Sequence, residues 1–327
     1  MMSDYSLVNL HIHTLFSDGK RSTLEVFNGA RDNGVTFSAI TDHDTYESMS
    51  PNVLSSFSEH TGVVIPVENT PGILSWEHIT MLRGVELTFM HRGRQKHMIG
   101  LGLRYPGQNE LGRCAELKQI RYGRIISLAE EINRRDDGLY NGLRVDVEEL
   151  KREVKNSVPS RYHLGYLIAK QFDGLTTRDV TSRYITRDLE SYAIPTDKLP
   201  DLDGAINIIH SLGGVAILPH LGNNQGLPGM GDGLEEDILF MYERGLDGIE
   251  VQSGRGKHAK LNDQYKMMAQ DLNTEQLKHR DRKLLISIGN DDHGMYDCCE
   301  HLIGLPIPMG FSSMITDIMD RMKTYRN

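Results

Sequence analysis

The sequence predicts an α/β fold of the barrel kind interrupted by a helical insertion, and three observations predict it. Short apolar runs alternate with amphipathic stretches over both ends of the chain. Between residues 109 and 194 that alternation stops and only helical periodicity remains. Histidines and carboxylates collect where the apolar runs end, which is where α/β barrels keep their chemistry.

The first run, Leu7-Val8-Asn9-Leu10, reads as a short buried strand that His11 and His13 prolong. Side chains two apart on a strand share a face, so both imidazoles aim at the strand's exit. Asp18 follows from a turn closed by Gly19. Residues 22–33 are helical in character, with Ser22 or Thr23 as N-cap and Gly34 as the stop. Residues 35–40 form a second strand that ends in Thr41-Asp42-His43-Asp44. A helical stretch spans 46–60 and a third strand 63–67, while 68–80 shows no period and is expected to be a loop. Residues 81–88 and 97–103 are strands on either side of a polar turn, carrying Glu86 and opening on His97.

The pattern changes at Tyr105-Pro106-Gly107. Ile120, Ile125, Leu128 and Ile132 mark one helical stripe, and Val147, Leu150 and Val154 another. The expected organisation is an N-terminal barrel part over 1–108, a helical lid or substrate-recognition insertion over 109–194, and a C-terminal barrel part over 195–327. In that last part a helix over 202–212 precedes strand 215–218, which runs into Pro219-His220. Helix 234–244 precedes strand 248–251, and helix 257–272 precedes strand 284–288. The last strand leads into Gly289-Asn290-Asp291-Asp292-His293-Gly294, and a helix over 312–323 closes the chain.

Composition narrows the function classes. With 39% hydrophobic and 25% charged residues, the chain is of an ordinary water-soluble kind that can bury a sizeable core. No apolar run approaches the ~20 residues needed to cross a bilayer, so no membrane role is expected. The N-terminus lacks the basic and apolar regions of a signal peptide. Three cysteines make a poor disulfide framework, which points to a reducing cytoplasm. A net charge of −9 disfavours coating of long nucleic acid. Residues 109–194 nonetheless balance at +1, so the middle segment is the natural place to meet an anionic substrate.

His11, His13, Asp42, His43, Glu86, His97, His220, Asp291 and His293 all track strand ends, and Asp18 joins them from the first loop. Imidazole and carboxylate together suit Zn, Mn, Fe or Co. His60, His78, His91, His210, His279 and His301 fall on predicted helices or loops and read as surface or packing residues.

The ordered set H-x-H-T-x-x-S-D-G, T-D-H-D, G-x-E, a strand-opening His, P-H and G-N-D-D-H-G resembles the PHP (polymerase and histidinol phosphatase) superfamily over essentially the whole chain. Within it the chain is most similar to the stand-alone phosphoesterases that include nucleoside 3′,5′-bisphosphate phosphatases and a 5′-to-3′ exoribonuclease. The insertion, Arg161-Tyr162-His163-Leu164 inside it, and Gly248-Ile249-Glu250-Val251-Gln252-Ser253-Gly254 carry that similarity. The resemblance implies a distorted (β/α)7 barrel with three divalent metal ions, Mn, Zn or Fe. It implies that His11, His13, Glu86 and Asp291 hold one ion, that Glu86 bridges to a second on His97 and His220, and that Asp18, His43 and His293 hold a third. Leu221 after His220 and Asn290 depart from the proline and serine common in relatives and remove no ligand, whereas Leu189 stands where relatives often carry a lysine and bears on the substrate-phosphate contact.

The implied activity is hydrolysis of a phosphate ester of a nucleotide, such as a nucleoside 3′,5′-bisphosphate, by a metal-bridging hydroxide. Phosphate ester hydrolysis is extremely slow unaided, and metals neutralise the phosphoryl oxygens, acidify water and stabilise the leaving oxygen. The alternatives are a 5′-to-3′ exonuclease on short RNA or DNA, and a phosphatase or cyclic phosphodiesterase on a non-nucleotide metabolite. A metal-bearing scaffold without turnover ranks last, because the ligand set is complete. No obligate protein partner is expected. Asp42 either orients an imidazole or is an ordinary strand-end carboxylate. His258 gives a proton to the leaving group or contacts phosphate, or else is a solvated helix-start histidine. Arg124 and Arg161 are candidates for phosphate recognition, with Arg187 standing in for the lysine that Leu189 replaces. Lys96 is a weaker candidate, and Ser17 reads as a turn former rather than a nucleophile.

Overall fold

The structure is a computed structural model that describes residues 7–59, 65–66, 72–135, 138–140, 142–186, 189, 194–221, 233–253, 261–294, 305–306 and 313–326. Ten strands and ten α-helices order the described residues. The N-terminal part contains β1 (Leu7–Asn9), α1 (Thr23–Asp32), β2 (Val35–Ile40), α2 (Pro51–Ser55), β3 (Ile65–Pro66), β4 (Ile73–Trp76), β5 (Ile79–His91) and β6 (Arg94–Leu101). The middle is helical: α3 (Gln108–Arg134), α4 (Val147–Glu153), α5 (Arg161–Ala169) and α6 (Thr177–Tyr184). The C-terminal part contains α7 (Leu202–Ser211), β7 (Val215–Leu218), α8 (Leu234–Glu243), β8 (Gly248–Ser253), α9 (Asn262–Asp271), β9 (Leu285–Gly289), β10 (Leu305–Pro306) and α10 (Met314–Thr324).

The sheet runs in the order β10-β1-β2-β5-β6-β7-β8-β9. Pairing is parallel from β1 to β5 and again from β7 to β9, but β5–β6 and β6–β7 are antiparallel. The parallel pairing is therefore broken in the middle, and the reason is local. β5 and β6 are joined by Arg92-Gly93 with φ of 48° and 73°, a two-residue hairpin turn whose twist suits antiparallel strands. Beyond the ends of β1 and β9 the two edges meet: Leu10 N–H donates to Ile288 O at 3.0 Å and His13 N–H to Asp292 O at 2.8 Å. Asp292 N–H returns a bond to His11 O at 3.1 Å, so the row of strands curls back on itself as a distorted barrel. Its core includes Val85, Ile99, Ile217 and Ile249, all fully buried.

Two expectations change. The helix expected over 46–60 is split into a 3-10 turn at Glu47–Met49, α2, and a second 3-10 turn at Ser56–Glu59. Pro51 at the first helical position pushes Ser50 into extended backbone, where its hydroxyl caps Val53 N–H. The expected loop over 68–80 contains β4, paired antiparallel with β5, and Trp76 from β4 is buried edge-on against Phe27. α1 begins as expected on Ser22, which forms a reciprocal capping box with Glu25.

The described part of 109–194 contains helices and no strand. Ile125, Leu128, Ile132, Leu150, Leu164 and Val180 form a core of their own there. The first half of α3 packs elsewhere: Leu117 and Ile120 join Met90, Ile194 and Leu199 against the β5–β6 hairpin. At the opposite end of the barrel Asp247, just before β8, accepts bonds from His210, Ala216 N–H, Arg321 and Tyr325 at 2.7–2.9 Å. Among the described residues no helix is long and apolar enough to cross a membrane.

Candidate metal centre

The nine ligands expected from the sequence converge at one end of the barrel, most of them just past strand C-termini and Glu86 and His97 from within their strands. His11 and His13 leave β1, His43 follows β2, and Glu86 and His97 stand on β5 and β6. His220 follows β7, Asp291 and His293 follow β9, and Asp18 comes from the first loop. Three overlapping groups could each hold an ion: His13, Asp18, His43 and His293; His11, His13, Glu86 and Asp291; and His43, Glu86 and His97. His220 stands beside the last of these, with Nε2 2.9 Å from Glu86 Oε1.

Glu86 is the hinge of this arrangement. Its Oε1 lies 2.8 Å from His97 Nδ1 and 2.9 Å from His220 Nε2. Its Oε2 lies 3.0 Å from His43 Nδ1, 3.2 Å from His13 Nε2 and 3.4 Å from His11 Nε2. Asp291 Oδ1 is 3.3 Å from His13 Nε2 and 3.5 Å from His11 Nε2, and Asp18 Oδ1 is 3.3 Å from His293 Nε2. Ligand atoms about 2.0–2.1 Å from a tetrahedral ion stand roughly 3.3–3.4 Å apart, close to the 3.2–3.5 Å seen among His11, His13, Glu86 and Asp291, while Glu86 stands closer to His43, His97 and His220.

The donor set fits a cation by a second test. Both oxygens of Asp18, Glu86 Oε2, His43 Nδ1, His97 Nδ1 and His293 Nε2 are buried and make no hydrogen bond of proper geometry among the described residues. Buried polar atoms are ordinarily paired, so a cluster of unpaired ones facing each other marks a place where an ion supplies the partner. The electrostatics agree in sign. Burial opposes charge on His11, yet Glu86 and Glu250 raise its pKa well above the usual value. Burial likewise opposes charge on His13, but Asp291, Glu86 and Asp18 push it up to about 10. Against the same penalty the imidazoles hold Glu86 and Asp18 well below the usual carboxylate range. Burial dominates at His43 and pushes it down to about 3. The basin thus concentrates ionised carboxylates in a dry place, which favours positive charge.

Several supporting residues escaped the sequence reading. Glu250 on β8 accepts from His11 Nδ1 at 2.9 Å and, with its other oxygen, from His220 N–H at 3.2 Å. It therefore fixes the His11 ring so that Nε2 faces the basin. Gly289 leaves room for this pair, because an added Cβ would clash with His11 Cβ and crowd Glu250 Oε2. Asp44 accepts from Thr88 N–H at 2.7 Å, from Thr88 Oγ1 at 2.8 Å and from Arg121. Arg21 holds Asp292 at 2.8 Å, clamping the last loop to the first. Asp44, His220 and Asp291 have φ of 48°, 34° and 50°, a region that costs non-glycine residues on the order of 1–3 kcal/mol each.

Asp42 accepts from Thr14 N–H and Thr14 Oγ1 at 2.7 Å and from Ser17 Oγ, so it touches no imidazole directly. Its reach to His13 runs through Ser17, whose Oγ is 3.4 Å from His13 Nδ1. Ser17 itself is fully buried, out of reach of a substrate. Lys96 lies on the hairpin face opposite His97 and points at Asp237, 3.6 Å away. On the insertion, Tyr162 lies with its ring 5.0 Å from that of His293, and the neighbouring Arg161 opens α5. Arg124 is half-buried on α3, three residues beyond Arg121. Arg187 and His258 lie outside the described residues.

No family model matches the chain. It is 26% identical over 289 residues to a 3′,5′-nucleoside bisphosphate phosphatase from Chromobacterium violaceum, covering 88% of this chain and 87% of that one. It is 26% identical over 225 residues to the 5′-3′ exoribonuclease Rnm of Salmonella typhimurium, 67% of each chain. Among solved structures, a Bifidobacterium adolescentis protein described as a metal-dependent phosphoesterase aligns with a TM-score of 0.67 at 20% identity over 96% of both chains, a likeness of fold. The ordered motifs, the barrel and these relatives make the chain similar to metal-dependent phosphoesterases, with a bisphosphate phosphatase and an exoribonuclease among its relatives.

Proposed function

We propose that this protein hydrolyses a phosphate ester of a nucleotide, such as a nucleoside 3′,5′-bisphosphate, at a centre of three divalent ions. His11, His13, Glu86 and Asp291 would hold one ion, Glu86, His97 and His220 a second, and Asp18, His43 and His293 a third. The observation that carries this reading is Glu86, whose two oxygens face two different sets of imidazoles at 2.8–3.4 Å. When bound, such ions neutralise phosphoryl oxygens, acidify water and stabilise the leaving oxygen. Mn, Zn and Fe all suit the ligand set, which discriminates poorly among them.

The chain's own contribution is position. Glu250 keeps His11 Nε2 toward the basin, and the loops bearing His43 and His293 are tied down by Asp44 and by the Arg21–Asp292 pair. Residues 109–194 act as the substrate-recognition unit, presenting Arg124, Arg161 and Arg187 to a phosphate that a guanidinium can grip with two bonds. The nearness of Tyr162 to His293 supports that assignment. His258 is the candidate proton donor to the leaving group. Three cysteines in 327 residues support a reducing, cytoplasmic setting.

A second reading, a 5′-to-3′ exonuclease on short RNA or DNA, is favoured by the exoribonuclease relatives. A Mn-loaded sample assayed on a panel of esters separates the two. Inorganic phosphate released from a nucleoside bisphosphate, with a 5′-phosphorylated oligomer left intact, is the expected result. Mononucleotides released stepwise from the oligomer would favour the second reading. Inertness on every ester with metal bound would contradict both.

A further inference from the structure

Arg121 stands outside every role assigned so far, yet it is a buried charged contact between the insertion and the barrel. It projects from α3 and is 5% exposed. Its guanidinium donates to Asp44 and, at 2.6 Å, to Thr88 Oγ1. Both partners sit beside metal-ligand candidates: Asp44 follows His43, and Thr88 lies two residues past Glu86 on the same strand face. Thr88 is also the direct cross-strand partner of His97.

The backbone completes a closed loop of bonds. Glu86 N–H donates to Asp42 O at 3.1 Å, and Asp44 N–H donates to Glu86 O at 3.0 Å, so the segments bearing His43 and Glu86 are laced together on both sides of His43. The Asp44 carboxylate adds Thr88 N–H and Oγ1 to that lacing. Asp44 itself has φ of 48° and is completely buried. A buried carboxylate needs a charged partner, and Arg121 supplies it from the insertion. Leu117, one turn earlier on α3, packs with Met90 on the same hairpin.

We propose that Arg121 is a positioning residue: through Asp44 and Thr88 it sets the spacing of His43, Glu86 and His97, so that a docked insertion is a condition for a fully formed metal centre. The proposal rests on the metal-centre reading above. Without the guanidinium, the strained Asp44 turn loses its anchor and His43 is free to drift from Glu86, from which it stands 3.0 Å. His11 keeps its own support in Glu250 and Gly289.

The test is a Mn titration of the full chain followed by EPR, with kcat and KM on the best ester from the panel. In Arg121→Met, Mn should bind about 10–100-fold more weakly than in wild type, because each proposed ion set includes His43, Glu86 or His97. kcat should fall and KM should change less than twofold. Arg121→Lys, which keeps the charge but not the planar fork, should recover part of the loss. Thr88→Val, which removes one bond to Asp44 and no charge, should shift Mn binding in the same direction if Arg121→Met does not fold. Unchanged Mn binding with a lowered Tm would make Arg121 a mere clasp, and unchanged Mn binding with a raised KM would make it a substrate contact; either result overturns the proposal alone. A wild-type chain that takes up no Mn overturns the metal-centre reading and the proposal with it.

Discussion

Glu86 and Glu250 are both buried carboxylates on barrel strands, and their surroundings divide the work between them. Glu86 meets five imidazoles and has one oxygen without a hydrogen bond of proper geometry, so it is left to bind. Glu250 spends both oxygens on groups that already carry protons, His11 Nδ1 and His220 N–H, so it orients. Glu250→Gln keeps the shape but offers one oxygen where two are needed. We expect Mn affinity to fall about 10–100-fold with little change in Tm. A competition titration against a chelator measures it, and wild-type affinity in the variant would remove Glu250 from this role. Most of the ligands were legible because they sit at the end of an apolar run, with Asp18 in the adjoining loop and Glu86 and His97 on the strands themselves. Glu250 was not: within Gly248-Ile249-Glu250-Val251 nothing marks it as facing His11 rather than packing. Asp44 and Arg121 are 77 positions apart, and a pair so distant leaves no local pattern.

The β5–β6 hairpin is the element on which most of the site depends. Paired residues across an antiparallel ladder share a face, and neighbours along a strand do not. Thr88 and His97 are such a pair, and so are Phe89 and Lys96, so His97 faces the basin and Lys96 faces α8. Two adjacent substitutions should therefore separate. His97→Ala should lower Mn binding and turnover with the fold kept. Lys96→Met should leave Mn binding intact and cost about 1–3 kcal/mol in a urea unfolding measurement, since it removes a buried partner of Asp237. Equal effects of the two on Mn binding would contradict the face assignment. From sequence the two strands and their polar turn were clear, because the turn residues separate two apolar runs. The antiparallel return to β7 was not, since strand alternation alone does not encode direction. β4 escaped notice because four residues at Ile73–Trp76 are too few to establish a period.

The two ends of the barrel carry buried charge for different purposes. At the mouth the carboxylates face a cluster of imidazoles, while at the base Asp247 is satisfied by α7, β7 and α10 together. Burial alone would raise its pKa, but His210, Ala216 N–H and Tyr325 hold it below the ordinary carboxylate range. A carboxyl so depressed stabilises the fold above its unfolded pKa of about 3.9, and that contribution is lost as pH falls through the folded value. Asp247→Asn should therefore cost about 3–5 kcal/mol at neutral pH, with the gap to wild type narrowing below roughly pH 4. Urea unfolding across that range checks it, and a gap that widens on acidification would contradict the sign. Mn binding measured in the folded variant should be unaffected, because Asp247 lies at the opposite end of the strands.

The most direct measurement is anomalous diffraction at the Mn edge from crystals soaked in Mn. Three peaks are expected inside the ring of His11, His13, Asp18, His43, Glu86, His97, His220, Asp291 and His293, two of them sharing Glu86 and each roughly 2.0–2.5 Å from its nitrogen and oxygen ligands. Peaks confined to surface carboxylates, with that ring empty at saturating Mn, would contradict the assignment of the site and the phosphoesterase chemistry built on it.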